Sequence, residues 1–194
     1  MGKIMEAKTC CFIGHRKITE SPQLTKCITS VMTKLIKDGY TRFVFGSRGD
    51  FNYLCYDIAS ELKKTYPEII RVAYLTRSDG GLDEEQYKNY YPKDYTKKCK
   101  DFDVNGWYEE VYRSDFVYIS GKAAYVERNQ FIINLSDCCV FYYDESYKPP
   151  VRNRSRKYFT GLWTSDKSGA EIAFKYAKSK QKQIINIFEL LTKI

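Results

Sequence analysis

Three short stretches carry residue types that could hold an anion. The first is Gly14-His15-Arg16, where a glycine permits tight backbone turning beside an imidazole and a fixed cation. The second is Gly46-Ser47-Arg48-Gly49-Asp50, whose two glycines would let backbone N–H groups face a phosphate. The third is Ser168-Gly169-Ala170-Glu171, again small residues ahead of a helical pattern. Each has a plainer reading. His15 would equally serve as a hydrogen-bonding residue at a strand end. The second stretch would equally be a tight turn with Asp50 or Asn52 as helix N-cap. Ser168 would cap a helix whose first turn favours the charge of Glu171. The second stretch is neither a Walker loop nor GxGxxG. Asp50 and Glu171 are the carboxylates available for acid–base chemistry.

The elements that would position these loops alternate in hydrophobic period. Lys8–Ile13 reads as a buried strand. Ser21-Pro22 opens a helix whose apolar face runs Leu24, Ile28, Val31, Leu35, and Gly39 stops it. Thr41–Phe45 is a second strand, and Leu54, Ile58, Ala59 and Leu62 mark a helix ending before Pro67. Ile69–Leu75 is a third strand. Beyond it, 78–103 reads as a polar, tyrosine-rich loop, Asn105–Arg113 as a short helix and Phe116–Ile119 as a strand. A helix over Tyr125–Leu135, a strand over Cys138–Tyr143, an irregular insertion at about 144–166, a helix from Gly169 to Lys178 and a strand over Gln183–Ile187 complete the pattern. The expectation is one domain over 1–194: a Rossmann-like, doubly wound α/β domain whose mainly parallel central sheet is flanked by helices. Ligands of such sheets bind at the carboxyl ends of the strands, where all three loops fall.

Composition narrows the class. The chain has 194 residues, 43% hydrophobic and 29% charged, which is globular. No apolar run approaches the ~18 residues of a membrane span, so a cytoplasmic protein without membrane contact is expected. Thirty-two Lys and Arg against 24 Asp and Glu give a charge of +8, favouring anionic partners such as nucleotides or nucleic acid. Seven cysteines include the adjacent pairs Cys10–Cys11 and Cys138–Cys139, read as small buried hydrophobes. With one histidine and no CxxC, no metal site is expected.

The ordered motifs CCFIGHR at 10–16, FGSRGDFNYLCYDIASELKKTYP at 45–67, ERNQFIINLSDCCVFYYDES at 127–146 and SGAEIAFKYAKSKQKQIINI at 168–187 resemble the YpsA-like branch of the SLOG superfamily, related to DprA (Smf) and LOG proteins. The resemblance implies glycine-rich loops that bind a nucleotide or nucleotide-derived ligand. Gly14, His15, Arg16, Gly46, Arg48 and Gly49 match its first two loops. Asn52 stands where many relatives carry Asp. Arg128 and Asn129 match the Arg-Asn that opens the helix before the penultimate strand. Ser168-Gly169-Ala170 replaces the family's Gly-Gly-Thr turn.

The leading expectation is therefore binding or sensing of a small ADP-ribose-type or cyclic nucleotide. Arg16 and Arg48 would face phosphates, Asp50 or Asn52 a ribose hydroxyl, and Tyr90–Tyr91 or Tyr142–Tyr143 a base. No further cofactor is expected. A hydrolase acting on an N-glycosidic or phosphate bond is the alternative, with Glu171 and Asp50 as catalytic candidates. The LOG motif PGGxGTxxE is absent, and the position three beyond Ala170 is Ala173. DprA-like single-stranded nucleic-acid binding, through Lys148–Tyr158 and Lys178, Lys180 and Lys182, ranks third. A homo-oligomer is a further expectation of the resemblance.

Overall fold

A computed structural model describes residues 7–46, 48–76, 108–113, 121–148 and 167–193. The elements, in chain order, are β1 (Lys8–Gly14), α1 (Pro22–Lys37), β2 (Tyr40–Phe45), α2 (Asp50–Lys63), β3 (Ile70–Leu75), β4 (Glu110–Arg113), α3 (Gly121–Leu135), β5 (Cys138–Tyr142), α4 (Gly169–Ser179), β6 (Gln183–Asn186) and α5 (Ile187–Thr192). Six strands form one all-parallel sheet of order β4-β3-β2-β1-β5-β6. The winding direction reverses between β1 and β5, so the crevice that a doubly wound sheet offers to ligands lies beside Gly14 and Tyr142.

Alternation along the strands divides the core into two layers. Cys10, Phe12, Phe43, Phe45, Cys138 and Val140 face α1, α2 and α5. Cys11, Ile13, Val44, Cys139 and Phe141 face α3 and α4. Phe12 is fully buried and stacks on Phe45 at 5.2 Å; burying a side chain of this size contributes about 1.5–3 kcal/mol. The four sheet cysteines sit in register, Cys10 beside Cys138 and Cys11 beside Cys139, all without solvent contact.

Local signals act as the sequence indicates at the starts of α1 and α4. Ser21 accepts a hydrogen bond from Leu24 N at 3.1 Å, with Pro22 in the first turn of α1. Ser168 accepts from Glu171 N at 3.0 Å at the start of α4.

Four expectations need correction. The stretch read as a short helix at 105–113 contains β4, with Glu110–Arg113 paired to Val72–Leu75. Strand geometry sends Glu109 and Glu110 to opposite faces, and each finds an arginine. Glu109 Oε1 lies 2.7 Å from Arg71 Nη2, and Glu110 Oε1 lies 2.6 Å from Arg42 Nη1, which reaches across β3. These tertiary pairings override a local helical pattern. The helix α2 is capped by Gly49, with no side-chain cap, so neither Asp50 nor Asn52 is its N-cap. The helix α3 starts at Gly121, which places Arg128 and Asn129 in its middle and not at its opening. The last strand ends at Asn186, and Ile187 begins α5. The loop at 78–103, the strand at Phe116–Ile119 and the insertion beyond Lys148 lie outside the described residues. No helix among the described residues is long and apolar enough to cross a membrane.

Candidate functional site

The first two loops form one structure at the carboxyl ends of β1 and β2. Arg16 O accepts a hydrogen bond from Asp50 N at 3.0 Å, tying the β1 loop to the first turn of α2. Across the same junction Lys17 Nζ lies 3.4 Å from Asp50 Oδ2. Gly49 has φ +116°, a conformation that L side chains avoid, and a Cβ there would sit 3.4 Å from Arg16 Cα. The second glycine is therefore required by its dihedral, while a Cβ there would meet the Arg16 backbone only in ordinary contact.

Arg128 completes the junction from the other side of the sheet. It is 4% exposed, and its guanidinium packs on Gly46, where a Cβ would lie 2.6 Å from Nη2. Asn129 Oδ1 accepts from Arg128 Nη2 at 2.9 Å, and the guanidinium stands over the Tyr125 ring at 5.2 Å. Asn52 fixes the β2 loop from within. Its Oδ1 accepts from Gly46 N at 3.1 Å, and its Nδ2 donates to Arg48 O at 3.2 Å. The Asn52 amide thus braces the loop backbone. Arg16 is exposed and Arg48 half-buried; Ser47 lies outside the described residues.

His15 is 3% exposed at the switch crevice. Its backbone N donates to Tyr142 O at 3.2 Å, and its Nε2 accepts from Asp144 N at 3.0 Å. Asp144 O, 3.3 Å from the same Nε2, accepts from Tyr147 N at 3.2 Å. With Nε2 an acceptor, the neutral ring carries its proton on Nδ1, which is buried and has no partner. Burial pushes the His15 pKa below its ordinary 6.5, against the opposing effect of the nearby Asp144 carbonyl oxygen and carboxylate charge. The plain reading of His15 as a strand-end hydrogen-bonding residue holds for Nε2 alone.

The third turn belongs to a different layer. It begins α4, which packs with α3 on the far face of the sheet from α2. Lys122 Nζ donates to Lys167 O at 2.6 Å and joins the starts of α3 and α4. Ser168 and Ala170 are buried, while the space above Gly169 is open, with no atom within 4 Å of a Cβ built there. Glu171 Oε1 lies 2.7 Å from Lys175 Nζ, and that bond holds its carboxyl below the ordinary range.

Of the aromatic and basic candidates, Tyr143 is core, stacked on Phe174 at 4.6 Å. Tyr90–Tyr91 and residues 149–158 lie outside the described residues. Lys182 donates to Asn134 O and Ser136 O at 3.0 and 2.8 Å, closing the end of α3 rather than facing solvent anions. Lys178 stands over the Phe174 ring at 4.7 Å, and Lys180 over Tyr176 at 5.4 Å. Sequence reasoning missed Lys17, Asp144 and Tyr147. Lys17 acts across the junction of β1 with α2, and Asp144 and Tyr147 act through the return of the β5 end to the β1 end; no local pattern signals either.

A groove of about 470 Å³ opens elsewhere, between the ends of β5 and β6 and helices α4 and α5, lined in part by Tyr143, Phe174, Lys178, Phe188 and Glu189. None of Gly14, Arg16, Gly46, Arg48 or Gly49 lines it. Among the described residues, no group of three or more His, Cys, Asp or Glu could hold a metal ion.

Comparison with known proteins agrees with this architecture. The chain is similar in fold to DNA processing protein A from Helicobacter pylori, a structure reported for its single-stranded DNA binding mode. The TM-score is 0.51 at 15% identity, covering 96% of this chain and 72% of that one. No curated protein gives a significant match. The family model YpsA, described as the YspA SLOG family, matches residues 12–176, most of the chain and all three loops. The chain belongs to this YpsA family of SLOG proteins.

Proposed function

We propose that the protein binds the phosphate of a small nucleotide-derived ligand, of ADP-ribose or cyclic-nucleotide type, at the joined β1 and β2 loops. The observation that carries this reading is the Arg16–Asp50 backbone link with Gly49 beneath it and Arg128 against Gly46. It gathers the Arg16, Arg48 and Arg128 positions around the start of a 14-residue helix, at the end of the sheet where doubly wound folds take ligands. Phosphate would meet Arg16 and Arg48, and the Gly46–Gly49 backbone would approach it closely. Asp50, held near Lys17, supports the rim. Ser168, Gly169 and Ala170 offer a further anion turn on the other side of the sheet.

The test is thermal denaturation with ADP-ribose, cyclic nucleotides and nucleoside monophosphates. At about 100 times its dissociation constant a ligand adds roughly 2.7 kcal/mol of stability. Arg16→Ala and Arg48→Ala should abolish the shift. A shift that survives both changes would remove the site from these loops.

Single-stranded DNA is a second reading, favoured by the function reported for the Helicobacter pylori structure and by the +8 charge. Its mark would be oligonucleotide affinity falling steeply between 50 and 200 mM salt. Hydrolysis would need a carboxylate beside the bond to be broken, and Glu171, paired with Lys175, and Asp50, near Lys17, are the carboxylates at these turns. Turnover abolished by Glu171→Gln, with ligand affinity unchanged, would support it.

A further inference from the structure

The one buried polar side-chain atom without a partner among the described residues is His15 Nδ1. A buried donor left without an acceptor costs about 1–3 kcal/mol, and such a group calls for an explanation. The ring that carries it is also covered. Tyr147 lies nearly parallel over the imidazole, with centroids 4.1 Å apart and planes inclined at 30°. Tyr147 comes from a turn built to hold it there. Asp144 Oδ1 accepts from Ser146 N and Oγ at 2.8 and 2.7 Å, and Tyr147 N closes the turn onto Asp144 O. This stack stands at the β1–β5 switch point, one residue from Arg16.

We propose that Tyr147 is a built-in occupant of a nucleobase site: the flat heterocycle of a nucleotide replaces it over the face of the His15 ring, and a second polar group of the same ligand, at the edge of that ring, accepts the Nδ1 proton in a hydrogen bond. The proposal rests on the phosphate reading above and adds the subsite for the base. Nδ1–H lies in the plane of the imidazole, so once the base has taken the place of Tyr147 its acceptor stands at the ring edge, where an uncharged oxygen such as a ribose hydroxyl suits a neutral donor. Aromatic stacking supplies the sequence-tolerant part of the affinity, and the waiting donor supplies the selective part. In the free protein Tyr147 keeps water from the ring, so the ligand must displace a residue of the chain itself.

The test compares adenosine 5′-monophosphate with ribose 5-phosphate, which lacks the base, by calorimetry on the full chain. The monophosphate should bind roughly tenfold or more tightly, the range expected for one stacked base. Tyr147→Ala should raise its affinity further and leave ribose 5-phosphate unchanged. His15 is the chain's single histidine, so its ring nitrogen resonances can be read in the unmodified protein without assignment ambiguity. They should report Nδ1 protonated in the free state, and should move with the monophosphate and not with ribose 5-phosphate. Equal affinity for the two probes, with no movement of the His15 signals, overturns the base site and spares the phosphate site. Binding of neither probe, to the unmodified protein or to Tyr147→Ala, overturns both. Weaker monophosphate binding by a folded Tyr147→Ala would make Tyr147 a ligand contact and overturn its role as occupant.

Discussion

Arg128 from the middle of α3 rests its guanidinium on the Cα of Gly46, at the end of a strand two places from the reversal of the sheet. The contact needs a residue without Cβ on one side and a long, planar, permanently charged side chain on the other. Asn129 Oδ1 and the Tyr125 ring fix the guanidinium from the helix. The glycine of the β2 loop is thus also a packing residue for a buried cation.

Gly46→Ala should destabilise the protein by about 1–3 kcal/mol, because the new methyl group would lie 2.6–2.8 Å from Nη2 and Cζ and must move a buried group. Urea denaturation measures this. With Arg128→Ala present, the added cost of the alanine should shrink markedly, because the two positions touch. Full additivity would show that they do not share this contact in solution.

Asn52→Ala should loosen the β2 loop without opening the core. It removes the acceptor of Gly46 N and the donor to Arg48 O, the first of them buried. Each lost bond of this kind costs about 0.5–1.5 kcal/mol, more where a group stays buried and unpaired. Hydrogen exchange at Gly46 N should quicken while that of β1 and β5 stays slow. Unchanged exchange would mean that the loop holds its shape without Asn52.

Much of this scaffold is legible in the sequence because its signals are local. Ser21-Pro22 and Ser168 cap helices, and apolar runs such as Cys10–Ile13 mark buried strands whose neighbours need not be known. What escapes is set by distant partners. The Glu109–Glu110 pair reads as helical until Arg71 and Arg42 are seen to draw the two side chains to opposite faces. Asn52 reads as a cap until the helix is seen to start on Gly49 and the amide to brace Gly46 N and Arg48 O. His15 reads as either functional or bland, and the ambiguity lies in the residue: one ring nitrogen is satisfied by Asp144 and the other is not.

The buried cysteines of the sheet and of α2 should be inert in the folded protein. Cys10, Cys11, Cys55, Cys138 and Cys139 have no exposed surface, and burial pushes the Cys10 and Cys55 thiols well above their ordinary range, away from the reactive thiolate. Cys27 is only partly covered. Labelling with a thiol reagent under native conditions, read by peptide mass, should modify Cys27 well before any of these five. Early modification of Cys138 or Cys139 would show that the β1–β5 seam opens below the global unfolding threshold.

Stability should fall as pH drops below about 6.5, and one residue should account for it. His15 is neutral in the fold, with its pKa below the ordinary 6.5 because burial disfavours the charged ring. Between the folded and unfolded values the unfolded chain binds more protons, so stability rises with pH there. The contribution is complete above about pH 6.5 and is lost as pH falls toward the folded value, with a slope of at most about 1.4 kcal/mol per pH unit for one proton. Protonation also removes the Nε2 lone pair that accepts from Asp144 N, so the 144–148 turn should loosen in the same window. Urea midpoints at pH 7.5, 6.5 and 5.5 measure the slope, and His15→Gln, which cannot titrate, should flatten it. The chain has no second histidine to contribute. A slope that persists unchanged in His15→Gln would assign the effect to carboxylates and leave His15 out of it.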